Sequence, residues 1–61
     1  MERAMGIVDY ARPCMMAEKA LKEAHDAVLR NDFDGAIEQT LQAIVETRLM
    51  LGALQIMKEK Q

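Results

Sequence analysis

The sequence predicts an all-α fold in which an antiparallel two-helix hairpin dimerises into a four-helix bundle. Two observations predict the hairpin: apolar residues recur at helical spacing before and after residues 30–35, and Asn, Asp and Gly cluster between them. A third observation, a nearly continuous apolar stretch at residues 49–57, predicts that the hairpin associates with another chain. The whole chain is treated as a single helical-hairpin domain, residues 1–61.

Helix 1 is predicted over residues 13–30, after an N-terminal arm of residues 1–12. Its apolar positions alternate by three and four residues, which is typical of a helix packed against another helix. These positions are Ile7, Tyr10, Cys14, Ala17, Leu21, Ala24 and Val28. Pro13 leaves two alternatives, because proline is accepted in the first turn of a helix but kinks its interior. Either Asp9 caps a helix that carries Pro13 in its first turn, or a longer helix starts near Glu2 and bends at Pro13; we prefer the kinked helix.

The turn between the helices is predicted at residues 31–34. Asn31 tolerates the left-handed conformation that ends many helices, and Asp32 or Asp34 can cap the next helix. Arg30 lies where a helix C-terminus favours positive charge. Helix 2 is then predicted over residues 35–60.

The first half of helix 2 is amphipathic, so we expect its apolar side to pack on helix 1. Small residues on helix 1 allow close approach of the helix axes, and bulky residues of helix 2 are expected to fill the groove. That small face consists of Ala17, Ala20, Ala24 and Ala27. The residues predicted to form the intrachain packing are Ala17, Leu21, Ala24, Val28, Phe33, Ile37, Leu41 and Ile44.

The second half of helix 2 is apolar almost all round, and one neighbouring helix cannot cover it. A chain of 61 residues with Cys14 as its only cysteine also lacks an intrachain disulfide, so oligomerisation or a partner is the expected source of stability. The predicted oligomer or partner interface comprises Ile7, Tyr10, Leu49, Met50, Leu51, Leu54, Ile56 and Met57.

The sequence predicts no catalytic residue, no cofactor and no metal site. His25 is the only histidine, serine is absent, and Cys14 precedes His25 by eleven residues on the same helix, roughly 16 Å away. A Cys–His pair within one chain is therefore excluded, and two soft ligands are too few for structural zinc. We interpret His25 as a residue at the edge of the packed face and Cys14 as a buried thiol.

Residues 27–43, AVLRNDFDGAIEQTLQA, are similar to the turn between paired helices in tetratricopeptide repeats. The likeness lies in the acidic–aromatic–acidic turn, the Ala-Ile pair after it and an alanine seven residues further on: Asp32, Phe33, Asp34, Ala36, Ile37 and Ala43. It covers about a quarter of the chain, and Arg48 stands where the repeat has its closing proline. The resemblance implies a helical hairpin and suggests nothing about ligands, and the chain is not assigned to that family.

The expected function is that of a small non-catalytic protein–protein interaction module, a regulator, adaptor or inhibitor of a larger protein. The partners are expected to be the chain itself, as a homodimer or higher oligomer, and another protein. A net charge of −2 disfavours nucleic acid and anionic lipid, and a lone cysteine suggests the cytoplasm. One alternative is a viral or accessory protein that antagonises a host factor by covering its surface. A further alternative is a nucleic-acid-associated bundle with backbone contacts from Arg3, Arg12, Arg30 and Arg48.

Overall fold

A computed structural model describes residues 9–60, which form two α-helices packed against each other. The helices are α1 (Ala11–Leu29) and α2 (Phe33–Glu59), and no strand occurs within these residues. The predicted all-helical hairpin is therefore confirmed. Most of the predicted N-terminal arm, including Ile7, lies outside the described residues.

The start of α1 is fixed by Asp9. Its carboxylate accepts hydrogen bonds from the backbone N–H groups of Ala11 at 2.9 Å and Arg12 at 3.4 Å, which the helix itself cannot satisfy. Pro13 follows in the first turn, where the missing proline N–H removes no helical hydrogen bond. Residues 9–60 thus show the first of the two alternatives at Pro13. The longer helix that we preferred would have to continue into residues 1–8, outside the described part of the chain.

The end of α1 is closed by a left-handed residue, as predicted. Asn31 has a φ of 62°, which asparagine adopts at lower cost than most residues. Its N–H donates to the carbonyl of Val28 at 2.9 Å, and the N–H of Asp32 donates to the carbonyl of Ala27 at 2.8 Å. These two bonds are the pair that defines a Schellman motif, and they give partners to two carbonyls in the last turn of α1.

The start of α2 is capped by Asp32, one of the two residues predicted as candidates. The Oδ1 atom of Asp32 accepts a hydrogen bond from the N–H of Gly35 at 3.0 Å. A Cβ atom at position 35 would lie 2.8 Å from Cγ of Asp32, so glycine leaves room for the capping carboxylate. Asp34 in the first turn and Lys58 in the last turn have the charges that the helix dipole favours at each end.

The buried residues between the two helices are alanines. Six alanines are 2–8% exposed: Ala17, Ala20, Ala24 and Ala27 on α1, and Ala36 and Ala43 on α2. On α1 they alternate by three and four residues, and on α2 they are seven residues apart, so each set lies along one side of its helix. Methyl-sized side chains let the helix axes approach to the short end of the roughly 8–10 Å range.

The bulky residues predicted to fill this interface do not fill it. Ala17 and Ala24 are buried, but the other six predicted packing residues keep 43–59% of their surface exposed: Leu21, Val28, Phe33, Ile37, Leu41 and Ile44. The structure corrects the prediction here because α2 turns its own alanines, and not its large aliphatic side chains, toward α1. Large side chains at those positions would hold the two helix axes further apart.

Candidate interaction surface

The hairpin leaves many large apolar side chains in contact with solvent. Sixteen of them within residues 9–60 are 39–70% exposed. At roughly 50 Å² each they expose roughly 800 Å² of apolar surface, divided among several sides of the two helices. A contiguous group within this set is a candidate for a surface that another protein covers.

One set of these side chains forms a continuous line along α2, which we name the α2 stripe. Its members recur by four and three residues, so they lie along one side of the helix. All seven members of this set are exposed, so α1 leaves the α2 stripe largely uncovered. The α2 stripe consists of Phe33, Ile37, Thr40, Ile44, Thr47, Leu51 and Leu54.

The two threonines do not interrupt the apolar character of the α2 stripe. The hydroxyl of Thr40 donates to the carbonyl of Ala36 at 2.8 Å, and that of Thr47 donates to the carbonyl of Ile44 at 2.9 Å. Threonine hydroxyls commonly bond to a carbonyl three or four residues earlier in a helix. Each hydroxyl is thus already paired, and a partner covering either threonine need not supply a hydrogen bond.

A groove of about 280 Å³ opens on the first half of the α2 stripe. It is lined by Phe33, Ala36, Ile37, Thr40 and Leu41, all from α2. A hollow between side chains of successive turns is the shape that receives one side chain of a facing helix in knobs-into-holes packing. The groove is therefore suited to an aliphatic side chain from another helix.

The predicted oligomer residues separate onto different sides of α2. Leu51 and Leu54 belong to the α2 stripe, whereas Leu49 and Ile56 line another groove, of about 450 Å³, next to Pro13. The other members in the described residues are also at least partly exposed: Tyr10 at 42%, Met57 at 39%, and Met50, which is half-buried. Residues 49–57 thus contribute to two surfaces and not to one.

Within residues 9–60, the polar side chains lie mainly near the turn and along the exposed sides of α1 and α2. A hollow of about 290 Å³ near the turn is lined mainly by charged residues, including Glu23, Asp26, Arg30 and Glu38. Lys22 and Asp26 approach to 3.9 Å, but both are exposed, so this ion pair stabilises the helix little. His25 is exposed and Cys14 is half-buried. In the described part of the chain, no group of three or more His, Cys, Asp or Glu side chains is placed to hold a metal ion.

Neither α1 nor α2 is long and apolar enough to cross a membrane. The resemblance to tetratricopeptide repeats concerns the turn, where Asp32 caps α2 and Phe33 begins the α2 stripe. Comparison of the whole chain with known proteins gave no matching family model, curated protein or solved structure. Function must therefore be inferred from the surface of the hairpin.

Proposed function

We propose that the chain is a small non-catalytic protein–protein interaction module that self-associates and acts as a regulator, adaptor or inhibitor of a larger protein. The observation that carries this proposal is the exposure of α2. With the exception of the half-buried Met50, the large apolar side chains of α2 remain 39–59% exposed, and its only buried residues are Ala36 and Ala43.

The small size of the buried core supports self-association. A buried methyl group contributes about 0.8 kcal/mol, whereas a fully buried Leu, Ile or Phe side chain contributes about 1.5–3 kcal/mol. Fixing the backbone of each residue costs about 1–2 kcal/mol. Because the buried residues of the described hairpin are all alanines, a second chain that covers α2 supplies the apolar burial that one hairpin lacks.

The two apolar sides of α2 suit two kinds of contact. Self-association through residues 49–57 uses Leu51 and Leu54, and extends along the α2 stripe toward Phe33. The groove beside Pro13, with Leu49 and Ile56, then remains open to the larger protein. A module that joins its own copy on one side and a second protein on another has the arrangement of an adaptor or inhibitor.

The test of self-association is the double variant Leu51→Glu/Leu54→Glu. We expect the wild-type protein to have at least twice the monomer mass in light scattering and to dissociate on dilution. The double variant should be monomeric at the same concentrations and less helical by circular dichroism, because two carboxylates would have to be buried without partners.

The matched control is Lys19→Glu on α1, which also changes the net charge by −2 but lies on an exposed polar side of its helix. It should keep the wild-type mass. A wild-type protein that is a stable, well-folded monomer at every concentration would contradict self-association. A double variant with unchanged mass and melting temperature would show that Leu51 and Leu54 lie outside the interface.

A further inference from the structure

The α2 stripe has the same pattern in both directions along the helix. Its outer members lie in pairs at nearly equal distances on either side of Ile44: Phe33 and Leu54 at eleven and ten residues, Ile37 and Leu51 at seven each, Thr40 and Thr47 at four and three. A two-fold interface requires a surface that is complementary to itself, because each contact is made twice with the roles exchanged. The α2 stripe meets this requirement for two helices that run in opposite directions.

We propose that two copies of the chain pair through their α2 stripes, antiparallel, about a two-fold axis at Ile44. The proposal rests on the self-association proposed above and specifies its geometry. Ile44 then meets Ile44 of the second copy, and Ile37 meets Leu51 of the second copy. Thr40 faces Thr47 of the second copy on either side of the axis. At the two ends of the interface, Phe33 faces Leu54 of the second copy.

The surface of the α2 stripe fits this pairing. In the antiparallel pair, Leu51 and Leu54 of the second copy lie opposite the groove that is lined by Phe33, Ile37 and Thr40. An aliphatic side chain of each copy therefore packs into the groove of the other. Burial of the threonines leaves no unpaired hydroxyl, because each already donates to a carbonyl of its own helix.

One line of apolar residues on α1, exposed at Leu21 and Val28 and half-buried at Cys14, is consistent with the same axis. Cys14, Leu21 and Val28 are seven residues apart, so they lie along one side of α1 and are symmetric about Leu21. Leu21 is ten residues before Asn31 and Ile44 is thirteen after it, so their levels along the hairpin differ by about 4.5 Å, less than one helical turn. One two-fold axis therefore serves both helices, and the product is a four-helix bundle in which neighbouring helices are antiparallel.

Charge and area also favour a second copy. Antiparallel pairing brings the acidic start of α2, with Asp32 and Asp34, to the same end as Lys58, Glu59 and Lys60 of the second copy, which together carry one net positive charge. Seven large side chains face the second copy, at roughly 50 Å² each, or roughly 350 Å² of apolar surface per chain. Interfaces are about 56–58% apolar, so this corresponds to roughly 600 Å² per chain, at the lower end of the range for specific interfaces.

Disulfide formation between copies tests the axis. In a Cys14→Val background, shown first to keep the wild-type mass, Ile44→Cys places two thiols on the axis, within the roughly 3.5–4.5 Å that Cβ atoms of a disulfide span. We expect covalent dimers at least tenfold faster than with the control Gln42→Cys, which is also exposed but lies on the opposite side of α2.

The direction of pairing is tested without changing Ile44. Mixed Ile37→Cys and Leu51→Cys chains should cross-link to each other faster than either cross-links to itself. Faster cross-linking of each variant to itself would show parallel helices and overturn the proposal. A dimer in which Ile44→Cys reacts no faster than Gln42→Cys would overturn the axis but leave self-association standing, whereas a monomeric mass would overturn both.

Discussion

Single residues determine where the helices of this hairpin end. Asn31 in the left-handed conformation and Asp32 as a cap were both predicted from the sequence, because each role depends on the chemistry of one residue type and its immediate neighbours. Asp9 acts in the same way at the start of α1. Such local features do not depend on the packing partner, so they can be inferred without knowing the tertiary structure.

The left-handed conformation of Asn31 gives a prediction at this scale. Asn31→Gly should leave the free energy of unfolding unchanged or raise it slightly, because glycine adopts positive φ without a Cβ clash. Asn31→Ala should lower it by about 1 kcal/mol, the cost of placing a Cβ atom in that region. Urea unfolding followed by circular dichroism at fixed protein concentration measures both, and equal stabilities of the two variants would contradict this explanation of the turn.

At the scale of the helices, the sequence predicted α1 better than α2. The alanine face of α1 was recognised, but its counterpart on α2, formed by Ala36 and Ala43, was not. Hydrophobicity ranks Ile37 and Ile44 above alanine, so the larger residues were assigned to the intrachain interface. Close approach of two helices favours the smaller residues, and the sequence of α2 alone does not show which of its two apolar sides faces α1.

The alanine interface predicts intolerance of larger side chains. Ala24→Leu should lower the free energy of unfolding by about 1–3 kcal/mol, because the added atoms must separate the helices or adopt unfavourable rotamers. The same substitution at exposed Ala11 is the control and should change stability by less than about 0.5 kcal/mol. Thermal unfolding of both variants at one protein concentration makes the comparison, and an Ala24→Leu variant as stable as Ala11→Leu would show that the helices are not closely packed.

At the scale of the whole molecule, only part of the candidate surface could be predicted. Residues 49–57 were recognised because they are apolar all round, which no single neighbouring helix can cover. Phe33, Ile37 and Ile44 were placed inside the hairpin, and the structure leaves them 43–59% exposed. Once the alanines are known to form the intrachain contact, these residues join Leu51 and Leu54 in one continuous surface.

If folding and self-association are coupled, stability must depend on concentration. A tenfold increase in protein concentration favours the dimer by about 1.4 kcal/mol, which should raise the melting temperature by a few degrees in a chain of this size. Melting curves over a hundredfold range of concentration measure this effect. The Leu51→Glu/Leu54→Glu variant should lose it, and a wild-type melting temperature that is independent of concentration would contradict coupled assembly.

The turn acquires a further role from the smoothness of the alanine interface. Alanine methyls form shallow ridges, so they distinguish weakly between neighbouring axial positions of the two helices. The Schellman bonds to Ala27 and Val28 are followed directly by the Asp32 cap, so the connection between the helices is short and hydrogen-bonded throughout. The turn therefore fixes the axial position of α2 relative to α1. Extra residues inserted after Asn31 would release this alignment and change the axial offset of about 4.5 Å between Leu21 and Ile44.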